Sequence, residues 1–280
     1  MKILLVGGNA SLSTSLKPVL SAFADVVTAG RQGCDVKLDL ASARIDVPVG
    51  VDVVINAAAH FGGRSAADLR EAVTVNVMGA MTLGEACFRA GVKHLVQVSS
   101  IFAQLPPDSP FHTPYALTKR QGDELLQALS QATGLPLAII RPSQFYGAGD
   151  ASRRHQPFLT SMIDKAASGE DIELYGAREA RRNFIHVDDV AAVIAQVVRQ
   201  GTVGTFACQH PADVGFGEIA RAAIRAFGSA SRLRFLHDKP NTPDNVLPID
   251  ETLFNRIGLR PGISIDRGMA IEAERRRGRP

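Results

Sequence analysis

Short apolar runs alternate with stretches of helical spacing through the first half of the chain. Residues 3–6 form an apolar run closed by Gly7 and Gly8, the pattern of a strand buried on both faces of a parallel sheet. Leu12, Leu16, Val19, Leu20 and Phe23 then recur at helical spacing over residues 11–23. Further strands are predicted at 26–28, 36–38, 51–55, 94–98 and 137–140. Between them lie a long helical stretch from about 66 to 90, with Leu69, Val73, Val77, Met81 and Leu83, and a second from about 114 to 132. Strands alternating with helices predict an α/β fold, a doubly wound parallel sheet covered by helices on both faces. After Gly147 the rhythm loosens into a turn-rich Gly147-Ala-Gly-Asp150 and a basic loop from Gly176 to Arg182. Helices at 188–200 and 216–227, strands near 203–207 and 232–235, and a terminal helix predict a smaller C-terminal lobe.

Composition narrows the classes without choosing one. The 280 residues are 45% hydrophobic and 21% charged, ordinary for a globular protein with a sizeable core. A formal net charge of +3 is too small to point to nucleic acid. Arg275, Arg276, Arg277 and Arg279 are expected to form a solvated, frayed end. No apolar stretch reaches the ~18 residues of a membrane span, and the opening apolar run is too short for a signal-peptide core. Cys34, Cys87 and Cys208 are odd in number and in no metal-ligand spacing, so they are read as reduced thiols of a cytoplasmic protein. The seven histidines form no metal-binding cluster, so no metal is expected.

The candidate chemistry begins at the first strand-to-helix turn. Free N–H groups and the dipole at a helix N-terminus favour phosphate, and a dinucleotide turn usually carries three glycines. Here Gly7, Ala10 and Ser13 occupy those positions, with Asn9, Ser11 and Ser13 as extra donors and Leu12 beside them. An acidic residue roughly 20 residues on would bond a ribose 2′-hydroxyl; the chain has Gly30-Arg31 instead. A guanidinium without a competing carboxylate suits a 2′-phosphate, which favours NADP, with NAD still open. Farther on, Tyr115 and Lys119 are four residues apart in Pro-Tyr-Ala-Leu-Thr-Lys and so share a helical face. An ammonium there is expected to lower the phenol from its usual pKa of about 10. Ser100, just past the strand at 94–98, could join them on one oxygen. Hydride transfer at a carbon bearing oxygen needs a proton moved on or off that oxygen, with Ser100 bonding the developing charge.

These residues together resemble the short-chain dehydrogenase/reductase superfamily, and within it the extended branch, the NAD-dependent epimerase/dehydratase group. The resemblance covers nearly the whole chain. It rests on Lys2-Ile-Leu-Leu-Val-Gly7, Asp39-Leu40, Val54-Ile-Asn-Ala-Ala-Ala59, Asn76-Val-x-Gly79, Val98-Ser-Ser100 and Tyr115-x-x-x-Lys119. Arg141-Pro-Ser-Gln-Phe-Tyr-Gly147 and Arg182-Asn-Phe-Ile-His-Val-Asp-Asp189 complete it. It implies a Rossmann-like domain over 1–147, plus a returning segment about 183–208. A substrate-binding lobe would take about 148–182 and 209–280. It also implies that Asp39 and Leu40 lie beside the adenine and that Ala57, Ala58 and Ala59 line the dinucleotide, with Asn76 in the cofactor set. Lys119 would bond the nicotinamide ribose, Tyr115 would be the acid/base, and Ser100 would polarise the substrate oxygen. Gln144 would face substrate and Arg182 the diphosphate of a nucleotide sugar, whereas a wet basic loop of Arg178, Arg181 and Arg182 is the plainer alternative. A homodimer through the family's helix pair stays open.

Two departures shape the expected activity. Relatives that dehydrate nucleotide sugars carry an Asp-Glu pair directly after the catalytic hydroxyl; here Ile101 and Phe102 stand there and cannot move protons. Epimerases of the group usually hold NAD with the acid that Gly30 replaces. Both point to an NAD(P)-dependent reductase of a carbonyl on a nucleotide sugar or related small molecule. Epimerisation at the same site is the runner-up, and a non-catalytic dinucleotide sensor is the alternative from another class.

Overall fold

The computed structural model describes residues 1–147, 149, 153 and 156–278. Ala148 and Asp150 of the turn-rich segment and the terminal Arg279 lie outside the described residues. The chain divides into two compact units. The first comprises Met1–Pro142, Ala191–Cys208 and Asp250–Leu259; the second comprises Ser143–Val190, Gln209–Ile249 and Arg260–Pro280.

The first unit is built on strands β1 (Lys2–Val6), β2 (Asp25–Gly30), β3 (Val36–Lys37), β4 (Val53–Asn56), β5 (His94–Val98) and β6 (Leu137–Pro142). With the edge strand Gly204–Cys208 they form one seven-stranded sheet in the order Gly204–Cys208, β6, β5, β4, β1, β2, β3. Every neighbouring pair is parallel. The chain winds outward from β1 through β2 to β3, then returns to β4 on the other side of β1. The carboxyl ends of β1 and β4 therefore diverge at a topological switch point, where open α/β sheets bind ligands. Ile3, Leu4, Leu5, Val54 and Ile55 are fully buried at the centre, each worth ~1.5–3 kcal/mol of apolar burial. Such strands read as unbroken apolar runs because both faces are covered.

Helix α1 (Ser11–Ser21) follows β1. The stretch predicted as one helix over 66–90 is three pieces: α2 (Ala66–Val73), a π-helical turn (Thr74–Met78) and α3 (Gly79–Arg89). Packing accounts for the interruption. A Cβ on Gly122 would lie 2.3 Å from the Asn76 carbonyl, so the widened turn presses its backbone against the next helix. Such single π-turns often sit at functional positions. That next helix, α4 (Pro114–Thr133), starts on a Thr113 cap with Pro114 in its first turn and stops at Gly134 with φ 75°, as cap chemistry favours.

The second unit has helices Pro157–Ser168, Phe216–Phe227 and Ile265–Arg277. Leu159, Met162, Leu174, Phe184, Ile219 and Met269 are among its core residues. Three two-stranded pairs complete it: Gln144–Tyr146 with Phe184–His186, Arg181–Arg182 with Val214–Gly215, and Ile172–Tyr175 with Leu233–Leu236. Because Phe184–His186 pairs with Gln144–Tyr146, the return to the first unit begins at Ala191 rather than near 183. The expected basic loop ends in a strand, and the arginine-rich terminus is helical through Arg277. Arg275 bonds the Gly147 carbonyl, Arg276 bonds Glu272 and Asp164, and Arg277 bonds the Ala226 carbonyl, so these three arginines are tied down rather than frayed.

Candidate active site

Strand β5 delivers Val98, Ser99 and Ser100, all buried, to the start of a 3-10 turn, Ile101–Gln104. The Ser100 hydroxyl accepts from the Phe102 amide at 3.2 Å and lies near enough to the Tyr115 hydroxyl to act on its ionisation. One turn along α4, Lys119 is 2% exposed, and its Nζ donates to the Val98 carbonyl at 2.7 Å. The three groups foreseen from spacing are thus together at the end of β5.

Their electrostatics differ from expectation. The Tyr115 ring is partly open to solvent, yet the crowding around its hydroxyl pushes its pKa up to about 12. Ser100 pulls it down and the Asp123 charge adds to the rise. Lys119 is instead the group pulled down, to about 8, by burial and against the attraction of Asp123. Desolvation penalises whichever form is charged, and the ammonium is turned to a backbone carbonyl. The expected lowering of the phenol by Lys119 is therefore corrected: this phenol keeps its proton at neutral pH.

Sequence reasoning missed two neighbours. Phe61 stacks on the Tyr115 ring with centroids 5.0 Å apart and planes 14° off parallel. Its loop is held by Asn76, whose side chain accepts from the His60 amide at 2.8 Å and donates to the His60 carbonyl at 2.7 Å and Thr118 Oγ1 at 3.0 Å. Asp123, a second turn beyond Lys119 on α4, is fully buried. The i, i+4, i+8 spacing was a legible signal for Asp123; nothing local signals Phe61.

The switch point fits a dinucleotide. Gly7 has φ +81°, and a Cβ on it would lie 2.7 Å from the Ala58 nitrogen, so the turn after β1 and the segment after β4 approach as only glycine permits. Ser13 stands where a third glycine is usual, and its hydroxyl donates to the Gly7 carbonyl at 2.8 Å, filling the room it takes. Ala10 caps α1 with no side-chain bond, which leaves first-turn amides for an anion; Ser11 and Leu12 follow, the latter buried. Asn9 donates to the Gln32 carbonyl at 2.7 Å, joining this turn to the loop after β2. Ala57, Ala58 and Ala59 are half-buried beside Gly7. Leu40 is buried in the core and Asp39 is exposed, its carboxylate accepting from the Ala41 amide at 3.0 Å. Arg31 is exposed. Asp35, in the same loop, is turned back onto Thr28, accepting from its amide at 2.8 Å and its hydroxyl at 2.7 Å. Those bonds hold the Asp35 carboxyl below its ordinary range.

In the second unit Gln144 donates to Gln156 at 3.2 Å. Arg182 is 7% exposed; its Nη1 donates to the Arg181 and Pro243 carbonyls at 2.8 Å each, and the guanidinium lies 5.2 Å from the Phe216 centroid. Arg178 pairs with Asp244 at 2.9 Å and Arg181 donates to the Asp213 carbonyl at 2.7 Å. Arg182 is therefore buried, whereas Arg178 and Arg181 are exposed but tied down by these bonds. Beside this segment Phe158, Leu174, Tyr175, Arg178 and Phe216 line a shallow, open hollow. Among the described residues no group of three or more acids, histidines and cysteines could hold a metal. No helix among them is long and apolar enough to cross a membrane.

A sequence profile described as the NAD dependent epimerase/dehydratase family matches residues 13–206. The chain belongs to that family. It is an NAD(P)-dependent enzyme of the short-chain dehydrogenase/reductase type. The dTDP-glucose 4,6-dehydratase of Streptomyces griseus is 29% identical over 238 residues, 80% of this chain and 71% of that protein. The dTDP-4-dehydro-6-deoxy-D-allose reductase of Streptomyces bikiniensis is 28% identical over 137 residues, 48% of this chain and 42% of that one. The UDP-glucuronic acid 4-epimerase of Bacillus cereus, solved with NAD, superposes with a TM-score of 0.77 at 19% identity, covering 98% of this chain and 96% of that chain. That superposition establishes the shared fold.

Proposed function

We propose that the protein reduces a carbonyl of a nucleotide sugar, with NADPH as the preferred donor. The observation that carries this reading is the convergence of Ser100, Tyr115 and Lys119 at the end of β5, beside a 3-10 turn that holds no acid. A protonated phenol at this place can give its proton to a carbonyl oxygen as hydride arrives at the carbon. When bound, the dinucleotide supplies the hydride and is oxidised. Tyr115 donates the proton to the oxygen as the carbonyl becomes a carbinol, Ser100 bonds the developing charge, and Lys119 balances the phenolate left behind. Ile101 is buried and Phe102 half-buried in the 3-10 turn. Neither can remove a proton for dehydration, so elimination is the less supported outcome despite the dehydratases among the relatives.

The cofactor choice rests on Arg31, exposed at the end of β2, and on the engagement of Asp35 with Thr28. Gly7, Asn9, Ala10, Ser11, Leu12, Asp39, Leu40, 57–59 and Asn76 form the rest of the assigned cofactor set. The nucleotide is assigned to Gln144, Arg182 and the aromatic hollow, because Tyr175 and Phe158 are exposed rings on which a base can stack. The thiols of Cys34, Cys87 and Cys208 suit a cytoplasmic setting. Epimerisation at the same site, the second reading, would use the same phenol first as a base and then as an acid.

The test is NADPH oxidation followed at 340 nm against a panel of UDP- and dTDP-linked keto sugars, with NADH in parallel. Turnover of at least one keto sugar, faster with NADPH, is expected. If no keto sugar is reduced while a 4-epimer is formed from a plain UDP-sugar, the reductase reading fails and the epimerase reading replaces it.

A further inference from the structure

Tyr115, Lys119 and Asp123 follow one another at i, i+4 and i+8 of α4, so one helical face carries phenol, ammonium and carboxylate in order. The Asp123 side chain is 0% exposed. Its Oδ2 accepts from Ser99 Oγ at 2.8 Å and from Arg141 Nε at 2.9 Å, while Oδ1 has no hydrogen-bond partner. Ser99 directly precedes Ser100 on the end of β5, and Arg141 lies on β6. One carboxylate therefore ties α4 to the two strand ends beneath the site.

Packing alone does not call for such a group. A buried carboxylate with one oxygen unbonded is costly, and apolar residues of similar volume often serve stability as well or better. Lys119 supplies a different reason. Its buried ammonium donates to a neutral carbonyl, that of Val98, and a buried charge requires a counter-charge. Among the described residues, the elements packed on α4 offer no other. The π-helical turn Thr74–Met78 and the 3-10 turn Ile101–Gln104 carry no ionisable residue, and Glu85 and Arg89 of α3 are exposed. Asp68 of α2 is bonded by Ser65, and Glu71 lies 3.4 Å from His60. On β6 the ionisable group is Arg141, a cation. Asp123 is the acid that bears on Lys119.

We propose that Asp123 is a positioning residue for this reaction, holding Lys119 in its charged form and fixing the face of α4 against Ser100. It rests on the reading of Tyr115 and Lys119 given above. Burial alone drives Lys119 towards its neutral form, and Asp123 opposes that drift. Without the carboxylate, Lys119 deprotonates at lower pH and can no longer balance the phenolate.

The titration can be read without any substrate. Carbon-13 shifts of lysine Cε in the full-length protein report ionisation, and the Lys119 signal is assigned by its loss in Lys119→Met. In Asp123→Asn the midpoint is expected to fall by about one pH unit or more, whereas Asp123→Glu, which keeps the charge, stays closer to the parent. Arg141→Gln keeps the carboxylate and removes the cation that shares it, so its midpoint moves upward; it serves if Asp123→Asn does not fold. An unmoved midpoint in folded Asp123→Asn, or a fall in Arg141→Gln, overturns the proposal. Turnover retained in Tyr115→Phe would instead overturn the acid/base reading and leave these titrations standing.

Discussion

The group at Ser100, Tyr115 and Lys119 and the segment from Arg178 to Arg182 look alike in sequence: a few polar side chains at close spacing. They fold into opposite situations. The first is held by neighbours on one helix and one strand end, so its geometry follows from local spacing. The second is held from far along the chain: Arg178 by Asp244, Arg181 by the Asp213 carbonyl, Arg182 by the Pro243 carbonyl. Desolvation governs both Tyr115 and Arg182, raising the pKa of one and lowering that of the other, because in each case burial disfavours the charged form. Spacing tells where a side chain points; it does not tell what water it loses.

Removing the proton from the first region carries the largest expected effect. Tyr115→Phe keeps the ring stacked on Phe61 and deletes the hydroxyl beside Ser100. Turnover should fall by about 10²–10⁴-fold, the range for a positioned acid, with NADPH binding retained. Near-parent turnover at 340 nm would remove the acid assignment.

In the second region the corresponding change is Arg182→Ala. A nucleoside diphosphate at 100 times its Kd would stabilise the parent by about 2.7 kcal/mol through mass action. Thermal melts with UDP or dTDP should show that protection in the parent and none in Arg182→Ala, while the shift produced by NADPH persists. Protection that survives the substitution would assign the arginine to folding alone.

Arg31→Ala probes the cofactor. Loss of a charge-assisted contact to a 2′-phosphate should weaken NADPH by ~1.5–3 kcal/mol and leave NADH unchanged. Equal affinity for both cofactors in the parent would end the NADP preference.

Legibility in the sequence followed the same divide. The first sheet was readable because 3–6, 53–56 and 94–98 are buried on both faces and show as apolar runs. The helix break at 74–78 was not, since it depends on Gly122 meeting the Asn76 carbonyl across the fold. In the second unit Ile172–Tyr175 alternates buried and exposed positions and Gln144–Tyr146 is three residues long, too little pattern for either to register as a strand. The Tyr/Lys pair was placed by periodicity, but the direction of its pKa shifts needed the burial that only the fold supplies.

Lys119 gives activity and stability opposite responses to pH. Its folded pKa of about 8 lies below the 10.5 of an open lysine. Below about 8 the folded protein carries the buried charge, and that penalty is relieved as pH rises from about 8 towards 10.5. Turnover should decline over the same interval as the ammonium is lost. Denaturant midpoints measured from pH 7 to 10 should therefore show a rising contribution that Lys119→Met abolishes, and a parent and variant with parallel profiles would contradict the assignment.

The smallest effect belongs to Arg178. Its pair with Asp244 has side chains 54% and 37% exposed, so solvent screening leaves it worth less than about 1 kcal/mol. The Asp244 carboxyl is nonetheless held below its ordinary range, first by the Arg181 amide and then by Arg178. A depressed carboxylate stabilises above its ordinary pKa and loses that contribution as pH falls through its folded value. Arg178→Ala should consequently lower the denaturant midpoint slightly at pH 7, and the difference should vanish under acid conditions that protonate Asp244. Because the Arg181 amide still bonds Asp244, the strand pair Arg181–Arg182 with Val214–Gly215 should persist and Arg182 should stay buried. A loss at pH 7 as large as that of Arg182→Ala would mean that the exposed ion pair, rather than the buried guanidinium over Phe216, organises this region.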